Sequence, residues 1–382
     1  MLIGPYIGVC VMIRVLQCVT GNFSIAGLSR IVFNWGQCIK HEGICFDYLS
    51  RKKDNDNQIK DLIIESGGKV FEPSERASYA VLEKKIILEN NYAVVHIHSD
   101  TSFNLLRSAI VAKKNGVKKI ILHSHSSGLD KPNDKKMFFK YMIKLCAHNV
   151  CKPFLPYFAT EFCSCSNEAT KWMYPKKIIS GVKLISNSID MTRFSFDKVN
   201  REIYRNKYGL SKSYVVGHVG RYVYQKNHDF ILQISKLIPE DSKILFVLIG
   251  DGDEYVRIKN NISKEGINNV IMLGRRSDVA EWMQAFDLFI LPSHFEGLPV
   301  VGVEAQSSGL GCLFSNNIDR YSRILDETEF IDLDAQTWAE RIIYYSQNNN
   351  SLEERIRRSQ HALQSEFNIR IGIKKLVELY RE

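Results

Sequence analysis

Two carboxylates and two cations in the second half of the chain have the types and spacing needed to hold a charged molecule rich in hydroxyls. Glu296 and Glu304 are separated by seven residues, in a segment that runs from Leu288 through Gly297, Leu298 and Pro299 to Gly309. Arg221 and Lys226 stand five apart in the stretch Gly220 to Asn227. A guanidinium presents a planar fork to phosphate oxygens and an ammonium presents a point charge, so the pair can hold a diphosphate. The carboxylates suit a different task, accepting hydrogen bonds from hydroxyls. Sugar hydroxyls plus phosphate describe a nucleotide sugar.

The elements that must carry these groups are legible around them. The apolar run Leu288 to Leu291, stopped by Pro292-Ser293, reads as a buried strand reaching its carboxyl end, and the Gly and Pro that follow make a tight loop. Pro299 suits the first turn of a helix because it has no N–H to lose. The free N–H groups and dipole of that helix start form an anion site from Gly297 onward, with Glu296 before it and Glu304 inside it.

Similar strand ends precede it. Tyr214–Val219 ends at Gly220 and Arg221, Ile244–Ile249 at Gly250-Asp251-Gly252, and Val270–Leu273 at Gly274 and Arg275. A short helix is expected at Asp278–Ala285, a strand at Cys312–Ser315, and three closing helices near 334–347, 351–365 and 368–380. In the first half, strands are expected at Ile13–Val19, Ile44–Leu49, Lys69–Phe71, Ala93–Ile97, Lys119–Leu122, Phe162–Cys165 and Val182–Ile185, with a helix at Leu28–Ile39. Such alternation of strand and helix predicts parallel sheets covered on both faces, with ligands at the carboxyl ends of the strands.

The spacing of Glu296 and Glu304 within PSHFEGLPVVGVEAQSSG resembles the donor-site signature of glycosyltransferase family 4, retaining enzymes of the GT-B fold, here of the capsule and exopolysaccharide type. The resemblance covers nearly the whole chain. It implies an α/β protein of two Rossmann-like doubly wound domains facing a cleft: an acceptor-side domain over 1–189 and a nucleotide-sugar domain over 190–367, with a last helix, about 368–382, returning to the first. It implies transfer of a sugar from a nucleoside diphosphate sugar, a uridine diphosphate sugar favoured, to a hydroxyl of a polyprenyl diphosphate-linked glycan. Arg221 and Lys226 in GRYVYQKN match the basic pair that holds the donor diphosphate without a metal, and Gly274-Arg275 resembles the segment that meets the nucleobase. Gly220 and Gly250 would lie beside the nucleotide.

The run IILHSHS resembles the strand end at which these enzymes set a histidine against the donor sugar. His125 is the better register match and His123 the fallback, whereas His96 and His98 read as satisfied structural residues. The loop after the first strand carries a Gly-Gly pair and then Glu in the resembling enzymes. Here Ala26, Gly27 and Ser29 take those places, with Gly27 as the expected donor contact.

Bulk properties fit a globular protein of two domains. The chain has 382 residues, 45% hydrophobic and 24% charged, and no apolar run long enough to cross a bilayer. Residues Leu2 to Ile13 hold Gly4, Pro5 and Gly8 without a basic leader, so a signal peptide is not expected; Met12 is an alternative start. Nine cysteines read as reduced thiols, and the spacing of Cys146, Cys151, Cys163 and Cys165 fits no zinc pattern, so neither a metal nor any other cofactor is expected. The net charge of +9 lies in the first half, where residues 1–190 hold 26 Lys+Arg against 16 Asp+Glu. Lysines interleaved with Met137, Phe138, Phe139, Tyr141 and Met142 suit an anionic leaflet, and no nucleic-acid motif accompanies them. The expected location is therefore cytoplasmic, peripheral on the inner face of the membrane. Two other readings stay open on the sequence: a nucleotide sugar 2-epimerase of the same fold, and a noncatalytic nucleotide-sugar-binding partner.

Overall fold

A computed structural model describes residues 12–19, 28–51, 58–73, 79–129, 135–348 and 351–382. Gly27 and its neighbours lie outside the described residues. Each half of the chain builds one wholly parallel sheet. The first contains β1 (Ile13–Val19), β2 (Ile44–Ser50), β3 (Val70–Phe71), β4 (Val94–Ser99), β5 (Lys119–Ser124), β6 (Glu161–Ser164) and β7 (Lys183–Leu184), in the order β3-β2-β1-β4-β5-β6-β7. The second contains β8 (Tyr214–Val219), β9 (Ile244–Ile249), β10 (Val270–Gly274), β11 (Leu288–Leu291), β12 (Gly311–Ser315) and β13 (Thr328–Ile331), in the order β10-β9-β8-β11-β12-β13.

These orders reverse direction between β1 and β4 and between β8 and β11. At such a switch point adjacent connections leave on opposite faces, which opens a crevice at the carboxyl ends of the strands. Every residue placed above in the donor site of the second domain follows β8, β9, β10 or β11. The central strands are buried on both faces, so they read as continuous apolar runs: Leu288, Phe289, Ile290 and Leu291 are all inaccessible.

The last helix, Ile369–Arg381, crosses back to the first sheet. Its Leu376, Val377, Leu379 and Tyr380 join the core formed by Val15, Trp35 and Phe46, and the Tyr380 hydroxyl accepts from Gln17 Nε2 at 2.9 Å. The crossing between domains is more ordered than the sequence reading foresaw. Asp197 caps a helix over Lys198–Lys207, accepting from Val199 N and Asn200 N, and this helix is tied down by Arg201 and Arg205, which both pair with Asp287. β13 was not foreseen either. Pro299 serves as the cap of a helix that begins at Val300, one position later than expected.

That helix, Val300–Ser307, carries Glu304 and is held at its far end by a buried arginine. Arg355 donates to the carbonyls of Ser308 at 3.0 Å, Phe286 at 2.7 Å and Met283 at 2.7 Å, and its guanidinium lies 4.2 Å from the Phe196 ring. Removing it strands the carbonyls of Ser308 and Met283 away from water, while that of Phe286 keeps Arg201 at 2.8 Å. Arg355→Met should cost about 3 kcal/mol of stability, read as a lowered urea midpoint; an unchanged midpoint would show that the three bonds do not hold the helix.

Candidate active site

The second-domain half of the site is built on three strand ends stitched together by backbone. Gly220 N donates to Ile249 O and Gly250 N to Gly274 O, each at 2.9 Å. Gly250 has φ of 147°, and a Cβ there would stand 1.9 Å from the Gly220 carbonyl oxygen. No other residue fits that approach. Gly220 in turn lies under the stem of Lys226, 3.1 Å from its Cγ and Cδ when given a Cβ. The glycines expected beside the nucleotide thus set the floor of the crevice.

Above that floor sits a buried ion pair. Lys226 Nζ is 2.6 Å from Glu296 Oε1, and Glu296 is 6% exposed. Ser293 Oγ donates to the same oxygen at 2.8 Å, and Gln225 Nε2 reaches Oε2 at 3.2 Å. A carboxylate taken out of water must be paired and hydrogen-bonded, and all three partners come from strand ends at the switch point. Arg221 is exposed at the mouth, as is Arg275, while the adjacent Arg276 is drawn aside by Asp278 at 2.6 Å. Leu298 buries its side chain, so only its backbone is available to a ligand.

Glu304 differs in having no hydrogen-bonding partner among the described residues. Burial raises its carboxyl to about 7, with Arg193 and Lys226 pulling the other way. Near neutrality it is therefore present in both protonation states, able to donate to or accept from a ligand hydroxyl.

The first domain meets this site through backbone. A Cβ on Gly297 would stand 2.2 Å from the His125 carbonyl oxygen, one on Gly128 would touch the Phe295 ring at 3.0 Å, and Ser127 Oγ donates to the Glu296 carbonyl. The loop after β5 thus closes directly on the loop after β11.

The imidazole of His125 does something else. Alternate residues on a strand share a face, so His96, His98, His123 and His125 form a stack against Trp35, with His123 and His125 centroids 4.2 Å apart. One hydrogen-bonded chain links them: Asn187 Oδ1 to His125 Nδ1 at 3.0 Å, His125 Nε2 to His98 Nδ1 at 2.9 Å, and His98 Nε2 to the Gln17 amide at 2.8 Å. It continues from Gln17 to the Tyr380 hydroxyl at 2.9 Å, to His96 Nδ1 at 2.6 Å, and from His96 Nε2 to His123 Nδ1 at 3.1 Å.

Proton counting fixes the order of this chain. Two neutral imidazoles supply two N–H groups for the three links between Asn187 and Gln17, so one amide must turn its NH2 toward them. Gln17 already gives its NH2 to the Tyr380 hydroxyl, so it is Asn187 that turns; every link then holds one proton, and His123 Nε2 carries the N–H at the end of the chain. Both nitrogens of His125 are consequently used inside the protein. In this structure the ring of His125 is thus tied to Asn187 and His98, which anchors the loop it stands on. His123 is inaccessible beneath Trp35 and does not reach the cleft, so it is no fallback. The nitrogens of His96, His98 and His123 lie within 4.8 Å of one another, but five of these six point along hydrogen bonds to separate partners rather than at a common centre.

Two family models match the chain, glycosyl transferases group 1 over residues 200–362 and glycosyl transferase 4-like over residues 32–152. With these two domains, the chain is a glycosyltransferase. This transferase is 28% identical over 321 residues to EpsF of Bacillus subtilis, a protein named as a glycosyltransferase, with 80% of this chain and 79% of EpsF covered. It is 30% identical over 253 residues to an Escherichia coli enzyme named UDP-Gal:alpha-D-GlcNAc-diphosphoundecaprenol alpha-1,3-galactosyltransferase, covering 61% and 60%. In fold it matches HepE of Anabaena, solved with UDP, at a TM-score of 0.72 and 17% identity over 96% of this chain and 99% of that one. WaaG, a transferase of lipopolysaccharide biosynthesis, matches at 0.70 and 15% over 96% and 99%. The GT-B architecture of this glycosyltransferase is thereby shown.

Ser293, Gln225, Ser127 and Asn187 belong to the site and were not singled out from the sequence. Ser293 directly follows the Pro that stops β11, and Asn187 opens the segment NSID at the domain crossing; neither position alone carries a signal of its distant partner.

Two pH effects follow for this transferase. Burial keeps His96, His98 and His123 neutral far below the usual imidazole range and holds His125 at about 3. The unfolded chain binds protons near 6.5 that the folded one refuses, so this stability is complete above pH 6.5 and is lost as pH falls. Unfolding free energies from urea titrations should drop between pH 7 and pH 5 by roughly 1 kcal/mol per histidine per pH unit; a flat profile would mean the stack accepts protons. Glu304 works in the opposite sense. Its raised carboxyl costs stability as pH climbs from about 4.5 to about 7, so Glu304→Gln should raise the melting temperature at pH 8 and leave it unmoved at pH 4.5. Equal shifts at both would refute the assignment.

Proposed function

We propose that this glycosyltransferase moves a sugar, with retained anomeric configuration and without a metal, from a nucleoside diphosphate sugar to a hydroxyl of a polyprenyl diphosphate-linked glycan in surface polysaccharide assembly. The observation that carries the reading is the Lys226–Glu296 pair at the switch point, with the start of the Val300–Ser307 helix beside it. UDP is the favoured carrier, in keeping with the UDP-sugar named for the Escherichia coli relative and the UDP held by HepE. The lipid-linked acceptor agrees with that relative's diphosphoundecaprenol, and surface polysaccharide assembly with the capsular polysaccharide biosynthesis named for CapH of Staphylococcus aureus, 23% identical over 316 residues. Such an acceptor lies at the inner face of the cytoplasmic membrane, where the protein would work as a peripheral enzyme.

In this reading, the ammonium of Lys226 shifts from the carboxylate to the donor diphosphate when the donor arrives. Glu296 is then free to accept hydrogen bonds from the sugar. Glu304 accepts from a further hydroxyl pair, the ribose diol being the expected one. The transition state separates an oxocarbenium-like sugar from its diphosphate, and Arg221, Lys226 and the N–H groups at Gly297 and Leu298 stabilise the departing charge. Glu296 orients the sugar and is not assigned a covalent role. His125 and Ser127 hold the loop that shields the reacting centre from water.

Incubation with a panel of uridine and guanosine diphosphate sugars, in chelator, with membranes as acceptor, should release nucleoside diphosphate from one donor. Lys226→Ala should lower turnover about a hundredfold. Turnover equal to that of the parent would take Lys226 off the diphosphate. Conversion of the donor to its epimer without release would replace transfer by epimerisation.

A further inference from the structure

Two arginines outside the site described above stand beside it without an acid. Arg30 lies in the first turn of the Leu28–Ile39 helix of the first domain, and Arg193 in the short turn Met191–Phe194 at the domain crossing. Neither has a hydrogen-bonding or ion-pairing partner among the described residues. Asp190, three residues before Arg193, spends its carboxylate on Thr192, accepting from its N at 3.2 Å and from its hydroxyl. A lone arginine in water is ordinary, but two held near each other repel. Arg30 is half-buried, and burial together with the Arg193 charge lowers its guanidinium below the usual range.

Packing fixes the pair at the cleft. Leu28, two residues before Arg30, packs on the same core as Val300, the first residue of the helix that carries Glu304. Met191 and Phe194, which bracket Arg193, share a second core with Val303 and Ala305 of that helix. Glu304 lies between those two residues, and the Arg193 charge reaches its carboxyl. Each guanidinium also stands over a buried ring of its own element, Arg30 at 5.5 Å from Phe33 and Arg193 at 5.8 Å from Phe194. A ring engages the flat face of a guanidinium and leaves the N–H groups at its edge for a ligand.

We propose that Arg30 and Arg193 together bind a diphosphate, one guanidinium supplied by the first domain and the other by the crossing between domains. Sugar hydroxyls would leave the two like charges uncompensated, whereas a diphosphate offsets both and accepts from both forks. Diphosphate occurs in each substrate of the proposed function, in the donor nucleotide and in the polyprenyl carrier. The inference deepens that reading and rests on it for these two sources.

The full chain and its Arg30→Gln and Arg193→Gln variants are titrated calorimetrically with UDP and, separately, with farnesyl diphosphate, a soluble polyprenyl diphosphate. Both variants should lose at least about tenfold in affinity for one of these ligands, with circular dichroism as in the parent. A loss for UDP places the donor's diphosphate on the pair, and a loss for farnesyl diphosphate places the acceptor's there. Arg30→Lys and Arg193→Lys, which keep the charge and lose the fork, should weaken the same ligand by less. Affinities for both ligands that are unchanged in the two glutamine variants would overturn the inference, as would a parent that binds neither. Lys226→Ala separates it from the proposed function. UDP affinity that falls in Lys226→Ala, with both ligands held at parental strength by the arginine variants, removes the pair and leaves Lys226 on the diphosphate; the reverse pattern removes Lys226 and keeps the pair.

Discussion

The structure is arranged around one buried charge. Glu296 sits at the carboxyl end of β11, where a bare carboxylate would be intolerable, and Lys226, Ser293 and Gln225 converge on it from the two strand ends that flank the switch point. That convergence requires the ends of β8, β9 and β11 to approach closely. The approach requires Gly250 against Gly220, since any side chain there would displace the floor. The order of the second sheet thus follows from the same demand that makes the site polar: two parallel strands diverging at a crevice, with a helix start beside them. A carboxylate held this way has a fixed position before any ligand arrives, which is what orientation of a sugar demands.

The first domain contributes rigidity where its neighbour contributes charge. Its chain of four neutral histidines, two amides and a phenol has one proton for each link once Asn187 is turned, and a chain filled in that way has little freedom to rearrange. His125 belongs to this scaffold through its ring and to the cleft through its carbonyl.

Sequence was a good guide wherever the signal was local. The apolar runs of β1, β8 and β9 were read with both ends correct, because a buried strand bounded by Gly or polar turns has few other interpretations. The helix after Pro299 was legible for the same reason, since strand, loop and helix start follow one another within a dozen residues. The Lys198–Lys207 helix was missed because none of its residues is buried and its anchor, Asp287, lies some 80 residues on. The same distance hid Ser127, Asn187 and the tie from Gln17 to Tyr380, whose partners meet only once both sheets exist. The fate of His125 could not be read from IILHSHS, since it depends on which of its two nitrogens Asn187 and His98 occupy.

The Tyr380 hydroxyl joins Gln17 to His96 across 363 positions of chain. During synthesis the first sheet emerges from the ribosome long before the helix that completes its core. Until that helix arrives, Gln17 and the histidines have no phenol between them, and Val15, Trp35 and Phe46 lack part of their cover. The second domain, whose strands and helices are contiguous, is free to finish first. Vectorial folding is thereby inverted: the amino-terminal half waits for the carboxyl terminus.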